Sequence, residues 1–524
     1  MKQEPVQLAE ILASLSLATD LGLGLPAEHV LRQTVIAARL AELAGLDDEV
    51  RADTFYVSLL AWVGCVADSH ELATWFGDDR QMRADSYGVD RRPLKMMPFM
   101  LSHVGAGRPP GQRMAVAARF VGGGFRDALG TFVTHCQTTG DIADCLGMRE
   151  SVRRSLSQAF ERWDGKGVPG EVGGEGLEQA IRIVQIADDT EVFAHSGDVD
   201  AAVEMLGTGR GREFDPALVD LCVEHAAAIL HGLDDLDAWP VVISGCAALD
   251  RTLGDEELTP ALEAFADYAD LKSPWYLGHS RAVGALAQRA ATISGAVDPD
   301  LALRAGLVHR LGAIGVSSSV WNKAEPWSAV ERERVRTVPY LTERVLSRQP
   351  TLARIGRLAA MTHERLDGSG YPRGLTATSL DGPARLLAAS DFYQDLVEAR
   401  PGRPAVGEAE RAEAMHTEVR AGRLDAASVE AVLHAAGHRV SRRVPQVASL
   451  TAREVEVLVL LVRGMSTKDI ARRLTVSPRT VTAHLEHIYA KTGTSSRGAA
   501  SMFALRHGLV SAEQHWQRTP SEDR

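Results

Sequence analysis

The sequence predicts an all-α protein that is divided into several domains. At 524 residues the chain is too long for one hydrophobic core, because domains usually hold roughly 100 to 200 residues. Its composition is 45% hydrophobic and only 5% aromatic, and the abundant alanine and leucine favour helix over strand. We therefore expect about three helical domains.

The charge distribution separates the C-terminal end from the rest of the chain. The whole sequence has a net charge of −12, yet the segment 450–510 contains nine Lys or Arg residues against four acids. A basic module attached to an acidic body is typical of a regulator that contacts nucleic acid through one end.

Helix-start signals divide this basic module into four short helices. A side chain that can cap a helix stands at each start, and the signals are Thr451 with Glu454, Ser466 with Asp469, Ser477 with Pro478, and Ser496. A capping residue accepts a backbone N–H at the helix start, and proline at the first position loses no hydrogen bond. The fourth helix is predicted to run from about Ser496 to His507.

The third helix of the module has two distinct faces. Val481, Leu485 and Ile488 form an apolar stripe, and Arg479, Thr482, Ala483 and Glu486 lie opposite. The apolar stripe is expected to pack, which leaves the other face free. Two short helices joined by residues 475–477 predict a helix-turn-helix whose second helix enters the major groove of double-stranded DNA.

The segment LTAREVEVLVLLVRGMSTKDIARRLTVSPRTVTAHLEHIYAKTGTSSR resembles the LuxR-type DNA-binding domain, which usually dimerises through its last helix. The resemblance implies that Thr482, Ala483 and Glu486 face base edges and that Thr480, His484 and Lys491 lie near the DNA backbone. Phosphate contacts are expected from five basic residues: Lys468, Arg472, Arg479, Lys491 and Arg497. The alternative is a four-helix module for protein interaction or dimerisation.

The middle of the chain carries a second set of informative residues. His279 opens a helical segment, His309 lies in LVHRLGAIGV, His363 in THERLDGSGYPRG, and Asp391 in ARLLAASDFYQDLV. Over residues 273–404 these motifs resemble the HD-GYP family of metal-dependent phosphohydrolases. The resemblance implies a helical bundle that hydrolyses cyclic dinucleotides with two or three metal ions.

Four positions depart from the pattern of that family. Arg310 stands where the family has a metal-bridging Asp, Ala313 replaces a Lys, and Val338 and Thr362 each replace a His. Because every ligand counts in a metal site, the sequence predicts a catalytically inactive phosphohydrolase with no catalytic residue and no metal. A single residual ion on His279, His309, His363 and Asp391 is the alternative.

The remaining positions of this site are predicted to line a ligand pocket, and they are His279, His309, Arg310, His363, Asp367 and Asp391. We hypothesise that the guanidinium of Arg310 takes the vacated metal position and pairs with Asp391, because a buried carboxylate needs a cation or donors around it.

The first half of the chain echoes these motifs and predicts a tandem repeat. ERWDGKGVPG at 161–170 parallels ERLDGSGYPRG at 364–374, and the spacing from Asp164 to Asp188 equals that from Asp367 to Asp391. His29 parallels His279, but Ala61, Trp62 and Phe160 replace the ligands. We interpret this copy as structural or dimerising, with a possible ligand cavity.

Five segments follow from these motifs: a first helical HD-GYP-like domain at 1–255, a second at 256–436, a linker at 437–449, the DNA-binding domain at 450–512 and a tail at 513–524. Glu4 and Glu10 interrupt the N-terminus where a signal peptide would be apolar, and no apolar run approaches the ~18 residues of a membrane span. The sequence therefore predicts a cytoplasmic location.

Three functions remain open at this stage. The first is a transcriptional regulator, acting as a homodimer, whose inactive HD-GYP-like body senses a small-molecule or nucleotide effector. The second is an active cyclic-dinucleotide phosphodiesterase fused to a DNA-binding domain. The third is a DNA-binding protein whose helical body serves only for dimerisation.

Overall fold

A computed structural model describes residues 5–87, 89, 93–245, 251–437, 450–507 and 509. It confirms the all-α prediction, since the strands of the described part are the short antiparallel pair Val6–Gln7 and Thr252–Leu253. The chain divides into two compact units, Met1–Ala261 and Leu262–Arg524. The predicted tail and all but Gly437 of the predicted linker lie outside the described residues, and the five-segment division stays a prediction.

The first unit consists of helices and two short strands, β1 (Val6–Gln7) and β2 (Thr252–Leu253). The helices are α1 Leu8–Leu23, α2 His29–Leu43, α3 Asp48–Leu60, α4 Ser69–Phe76, α5 Asp79–Ala84, α6 Pro93–His103, α7 Pro110–Arg119, α8 Phe125–Cys145, α9 Glu150–Ser157, α10 Gln179–Ser196, α11 Val199–Gly209, α12 Pro216–Glu224, α13 Ala226–Leu230 and α14 Ala238–Ser244. The helix α15 Asp255–Asp270 contains the boundary between the units.

The core of the first unit forms around α2, which packs against α3 and α10. Helix α2 is buried along most of its length, including Leu31, Ile36 and Leu40, because apolar residues recur at helical spacing on its inner faces. A separate apolar cluster, centred on Phe76, Met100 and Phe120, fills the space between α4, α6 and α7.

The second unit contains the remaining helices. These are α16 His279–Ser294, α17 Pro299–Val308, α18 Ser318–Trp321, α19 Ala329–Arg336, α20 Val338–Leu346, α21 Pro350–Ala359, α22 Gly382–Val397, α23 Glu408–Arg420, α24 Ala426–Ala436, α25 Ala452–Val462, α26 Thr467–Leu474, α27 Pro478–Thr492 and α28 Arg497–Arg506.

Helix α16 is the centre of the second unit and packs against α17, α22 and α24. Capping residues fix where its neighbours begin: Asp298 caps α17 and Asp381 caps α22, in each case with a proline in the first turn. This packing brings the start of α16 close to the middle of α22.

The starts of α2 and α16 share a local structure. His29 and His279 are the first residues of these helices, and each follows a residue in the left-handed region, Glu28 at φ 67° and Gly278 at φ 79°. The second residue of each helix donates its backbone N–H to an aspartate ten residues upstream, Val30 to Asp20 and Ser280 to Asp270.

The two DGxGxP-like loops also share their hydrogen bonds. The carboxylate of Glu161 accepts the N–H groups of Gly170 and Glu171, and that of Glu364 accepts those of Arg373 and Leu375. These local parallels agree with the predicted repeat, although the tandem duplication itself stays a prediction.

Helices α25 to α28 begin at the capping residues that the sequence indicates. Thr451 and Glu454 form a capping box, and the hydroxyls of Ser466, Ser477 and Ser496 each accept an N–H at the start of the next helix. Two of these four helices are followed by a glycine with left-handed backbone angles, Gly464 after α25 and Gly493 after α27.

Within the described residues, no single helix is long and apolar enough to cross a membrane. One bent pair, Asp48–Val66 with Ser69–Phe76, meets the length and composition test when its two parts are joined across a bend of 53°.

Candidate metal centre and nucleic-acid interface

Three histidines from different parts of the second unit converge on one carboxylate. Nε2 of His279 lies 3.3 Å from Oδ1 of Asp391, Nε2 of His309 lies 3.2 Å from the same oxygen, and Nδ1 of His363 lies 3.5 Å from Oδ2. One ligand atom each from His279, His309 and Asp391 fall within 4.8 Å of one another. The four residues His279, His309, His363 and Asp391 are called the His–Asp cluster below.

The far nitrogens of two histidines are fixed by partners outside the cluster. Nδ1 of His279 lies 2.8 Å from a carboxylate oxygen of Glu398, and Nδ1 of His309 lies 2.6 Å from the carbonyl oxygen of Gly306. An acceptor at one ring nitrogen holds the proton there and points the other nitrogen's lone pair into the site. Both Nε2 atoms are therefore presented toward Asp391.

His309 provides the strongest indication of a missing partner. Its side chain is buried, and among the described residues Nε2 has no hydrogen-bond partner despite its short distance to Asp391. Burial lowers the pKa of His309, so its imidazole is neutral at physiological pH. A neutral, buried histidine whose ring nitrogen faces a carboxylate is in the form that binds a divalent metal ion.

The charges of the cluster also suit a cation. Burial opposes ionisation of Asp391, but the surrounding histidines outweigh it and hold the pKa of this carboxyl well below its usual range. Burial lowers the pKa of His363 below its ordinary value. For His279, burial is outweighed by Glu398 and Asp391, which raise its pKa to about 9. His279 is therefore protonated at neutral pH and would have to release a proton to bind a metal, whereas His309 and Asp391 already have the charge states of ligands for Zn²⁺, Mn²⁺ or Fe²⁺.

A cavity of about 490 Å³ opens beside the His–Asp cluster. His279, His363 and Asp391 contribute to its wall, and aromatic side chains cover much of the remainder: Tyr276, Trp321, Trp327, Tyr371 and Phe392. Arg310 and Arg365 also line it. A space of this size, with convergent polar groups and aromatic walls, is large enough for a nucleotide-sized ligand.

Arg310 does not pair with Asp391, contrary to our hypothesis. Its guanidinium carbon lies 3.5 Å from the ring centre of Tyr276 and 4.9 Å from that of Trp321, and Nε lies 3.9 Å from Oδ1 of Asp270. The physical reason is that the histidines already surround Asp391, while two aromatic faces offer the cation a separate site.

The other replaced positions lie around the cavity rather than in the cluster. Ala313 and Val338 are buried and pack with Tyr276 and Trp321 in one apolar group. Thr362 is buried and donates its hydroxyl to the carbonyl of Ala359. Ala313 and Val338 therefore support the aromatic wall.

Asp367, predicted to line the pocket, lies in the loop and is exposed. Its carboxylate accepts hydrogen bonds from the backbone N–H and the hydroxyl of Ser369. The loop places Tyr371 against His363, with ring centres 4.9 Å apart and planes 26° from parallel. Asp367 therefore shapes the loop that holds the histidine.

Sequence reasoning missed Glu398 and Tyr276. Glu398 caps the C-terminus of α22 and lies seven residues after Asp391, a spacing that places both residues on one face of the helix. This spacing could have identified Glu398. Tyr276 precedes His279 by three residues, but nothing in the sequence indicates that both Arg310 and Arg400 lie over its ring.

The first unit has a different arrangement at the matching positions. His29 pairs with Asp188 at 3.0 Å and with Glu191 at 2.5 Å. Trp62 donates its indole N–H to Gln33, and its ring and that of Phe160 lie against His135. Among the described residues, the ligand atoms that lie close enough together to hold a metal are those of His279, His309 and Asp391 in the second unit.

A smaller cavity of about 120 Å³ lies in the first unit. Its wall is mostly apolar and includes Trp62, Met82, Phe132 and Phe160, with Arg83 and His135 among the polar groups. That a ligand binds in this copy stays a prediction.

The helix-turn-helix presents the predicted face to solvent. On α27, Val481 and Ile488 are buried, whereas Arg479, Thr480, Thr482, Ala483 and Glu486 are exposed and His484 is half-buried. Lys468 at the start of α26 is also exposed. The predicted DNA-contacting residues therefore share one accessible surface around α27.

Two of the predicted DNA contacts bond to residues more than 30 positions away, while Arg472 pairs with Asp469 within α26. Nζ of Lys491 lies 2.7 and 2.9 Å from the two carboxylate oxygens of Glu454, whose side chain is 4% exposed. Arg497 donates to the carbonyl oxygen of Met465 at 2.6 Å. Lys491 and Arg497 thus connect separate parts of the module, in addition to any contact they make with DNA.

Comparison with known families gives two matches. Residues 263–428 match the family described as the HD domain, and residues 448–504 match the bacterial regulatory proteins of the luxR family. The second match confirms the LuxR-type module and implies that the chain binds DNA.

Comparison with individual proteins extends the likeness into the first half of the chain. The 3'3'-cGAMP-specific phosphodiesterase 3 of Vibrio cholerae is 27% identical over 411 residues, which cover 77% of this chain and 89% of that protein. A solved structure of a cyclic GMP-AMP specific phosphodiesterase of V. cholerae, V-cGAP3, has a TM-score of 0.57 at 24% identity over 82% of this chain and 98% of that chain, a likeness of fold.

The C-terminal part resembles regulators instead. A protein of Mycobacterium bovis named as an HTH-type transcriptional regulator is 47% identical over 84 residues, which are 16% of this chain and 10% of the regulator.

The prediction of a catalytically inactive body was wrong, and the cluster of His279, His309 and Asp391 favours the alternative of a residual metal ion over none. Homology to phosphodiesterases and the cluster of His279, His309 and Asp391 point to an enzyme. The sequence argument counted Arg310, Ala313, Val338 and Thr362 as losses from one site. In the structure these four lie beside the cluster, and the retained ligands converge without them.

Proposed function

Because this chain has an HD domain followed by a LuxR-family DNA-binding domain and is homologous to HD-GYP cGAMP phosphodiesterases, we propose that it is a DNA-binding regulator whose body hydrolyses a cyclic dinucleotide. The observation that carries the proposal is the convergence of His279, His309 and His363 on Asp391 at the wall of the 490 Å³ cavity.

The residues of the His–Asp cluster would hold one divalent cation. When bound there, such a cation supplies Lewis-acid charge to a phosphoryl oxygen. Glu398 and the carbonyl of Gly306 orient His279 and His309 toward it. Because both partners are themselves fixed in the fold, the ligand atoms need little reorganisation on binding.

The cavity walls suit the remainder of a dinucleotide. Trp327 is partly exposed at the cavity wall and packs edge-on against buried Trp321, with ring centres 6.0 Å apart, so its ring can offer aromatic surface to a nucleobase. Arg365 adds positive charge at the wall beside His363. A linear dinucleotide or two nucleotides would be the products.

The first unit is proposed as the regulatory part of the body. Its ligand positions are occupied by Ala61, Trp62 and Phe160, and its apolar 120 Å³ cavity could accept a small molecule. We further propose that the chain acts as a homodimer on DNA, as the LuxR likeness implies. A small molecule that regulates DNA binding in this way must change the affinity for DNA by some factor. DNA must then change the affinity for the small molecule by the same factor.

The test of the enzymatic proposal uses the purified full chain with Mn²⁺. 3'3'-cGAMP, cyclic di-GMP and cyclic di-AMP would be incubated separately and the products separated by liquid chromatography. We expect hydrolysis of at least one compound by the wild type and by Asp188→Asn, and its loss in Asp391→Asn. Equal rates for wild type and Asp391→Asn would contradict the proposal.

The test of regulation measures DNA affinity in the same preparation. Asp391→Asn protein is used because it is expected not to hydrolyse the cyclic dinucleotide. It is titrated with a DNA site selected from random sequences, with and without the intact cyclic dinucleotide that the wild type hydrolyses. A change in affinity supports coupling, and an unchanged affinity shows that the two domains act independently.

A further inference from the structure

Arg310 is a buried cation with an unused hydrogen-bonding group. The residue is 6% exposed, and its Nε has no hydrogen-bond partner among the residues that the structure describes. The nearest carboxylate oxygen, on Asp270, is 3.9 Å from Nε, which is too long for a hydrogen bond. Asp270 is itself occupied by the N–H and hydroxyl of Ser280.

The aromatic neighbours stabilise the charge of Arg310 without satisfying its N–H groups. Tyr276 and Trp321 attract the cation through their ring faces, at 3.5 and 4.9 Å from the guanidinium carbon. A guanidinium carries five N–H donors, and ring faces are poor acceptors for them. An anion that reached this group would find Nε without a hydrogen-bond partner among the described residues.

Arg400 shows what a purely structural arginine looks like in the same place. Its guanidinium also lies over Tyr276, at 3.9 Å, but it pairs with Glu398 at 2.7 Å and donates to the carbonyl of Trp275 at 2.8 Å. Nε of Arg400 also lacks a hydrogen-bond partner among the described residues, but it lies 3.1 Å from Oδ1 of Asp395. Arg310, in contrast, has Asp270 at 3.9 Å as its carboxylate contact in the described part of the chain.

Arg310 and the His–Asp cluster share one cavity. Arg310 follows His309 directly in the chain, and both Arg310 and Asp391 line the 490 Å³ space. Arg310, His279, His363 and Asp391 all border this space. A phosphodiester held at the cluster would therefore meet a fixed positive charge at its side.

We propose that Arg310 binds a non-bridging oxygen of the scissile phosphodiester and supplies the positive charge that a second metal ion would supply in a two-metal site. This inference rests on the proposed phosphodiesterase function. In the hydrolysis, the oxygen of a water molecule bonds to phosphorus as the bond from phosphorus to the ribose oxygen breaks. One water proton ends on that ribose oxygen and the other passes to solvent.

The charge on the phosphoryl oxygens grows as the water adds, and a preorganised guanidinium stabilises it without reorganisation. Arg310 meets this requirement because Tyr276 and Trp321 fix its position before substrate binds. Arginine is also suited to phosphate because its fork of donors matches two oxygens.

The test compares Arg310→Met with Arg354→Met in the full chain. Arg354 is exposed on α21 and is not one of the residues that line the cavity. We expect Arg310→Met to lower kcat/KM by about 100-fold, with most of the loss in kcat, and Arg354→Met to change it less than threefold. Manganese per chain, measured by elemental analysis, should stay the same in both variants.

Binding of inorganic phosphate to the manganese-loaded protein gives a readout that does not depend on turnover. Calorimetric titration should show phosphate binding at least tenfold weaker in Arg310→Met than in wild type, and partial recovery in Arg310→Lys, which keeps the charge and loses the fork. The Lys variant also serves if the Met variant fails to fold.

The outcomes separate this inference from the proposed function. A wild type that hydrolyses no cyclic dinucleotide but loses phosphate affinity with Arg310→Met would overturn the proposed function and leave Arg310 as an anion-binding residue. Equal phosphate affinity in wild type and Arg310→Met, or loss of manganese from Arg310→Met, would overturn the inference.

Discussion

Asp391 of α22 and Asp188 of α10 each pair with the histidine that begins the neighbouring helix, His279 at 3.3 Å and His29 at 3.0 Å. Around Asp391 two further histidines complete a ligand set. By the predicted repeat, Ala61 and Phe160 of the first unit correspond to those two histidines. The same pair of residues thus belongs to a candidate metal centre in one unit and to an internal ion pair in the other.

Metal content should depend on a histidine of the second unit and not on one of the first. We expect about one equivalent of Mn, Fe or Zn per wild-type chain after dialysis, and loss of the metal in His309→Gln because the buried Nε2 ligand is removed. His135→Gln, which changes an equally buried histidine of the first unit, should keep it. Elemental analysis checks this, and retention of a full equivalent by folded His309→Gln would refute the ligand assignment.

Lys491 and Lys468 should have opposite effects on folding and on DNA binding. Burial raises the pKa of Glu454, but hydrogen bonds from Lys491 and Thr451 outweigh it and lower the pKa to about 2. Lys491→Ala leaves this buried carboxylate without its cation and should lower the free energy of unfolding of the module by about 1–3 kcal/mol.

Lys468→Ala, at an exposed position, should leave unfolding unchanged and weaken DNA binding, with the slope of log K against log salt reduced by about 0.9. Denaturant titration and DNA binding at several salt concentrations measure both effects. A stable Lys491→Ala variant would show that the Glu454 pair contributes little.

Thr482 should affect sequence preference and not general DNA affinity. Its side chain is exposed on the face of α27 opposite Val481, where an HTH recognition helix contacts bases. Thr482→Val removes the hydroxyl while preserving shape, and should weaken binding to the DNA sequence selected by wild type by about 1–3 kcal/mol. Binding to unrelated DNA at the same salt concentration is the control, and an equal loss on both DNAs would place Thr482 at the backbone.

The stability of the first unit should fall in mild acid because His135 is buried. Burial lowers the pKa of His135 from 6.5 to about 4, against a smaller opposing effect from the hydrogen bond to Ala61. As the pH falls below 6.5 the unfolded chain therefore binds this proton first, and the stabilisation present above pH 6.5 is lost as the pH approaches 4.

Between pH 7.5 and pH 5 this group alone should cost about 2 kcal/mol of unfolding free energy. His135→Gln, which keeps a donor for the carbonyl of Ala61, should show a correspondingly smaller pH dependence. Denaturant unfolding of both proteins at the two pH values measures the difference, and parallel curves would show that His135 does not titrate as a buried group.

Local signals in the sequence predicted the C-terminal module closely. Caps such as Ser466 and Ser477 act within three residues of themselves, so their effect can be deduced without knowing the tertiary structure. The same holds for the apolar stripe of Val481 and Ile488, because helical spacing alone determines which residues share a face.

The error about catalysis arose where the answer depends on distant residues. Arg310 was judged by its place in a motif, and the sequence could not show that Tyr276 and Trp321 would receive its side chain. Glu398 was overlooked for the same reason, since its contact with His279 spans 119 residues.

The sequence by itself determined that the chain is helical, that its C-terminal module is a LuxR-type DNA-binding domain, and that His279, His309, His363 and Asp391 are the residues to examine. Only the tertiary structure decided that these four meet while Arg310 stands aside on two aromatic rings. The physical reason is that helix caps and amphipathic faces are local properties of the chain, whereas a ligand set is produced by packing α16 against α17 and α22.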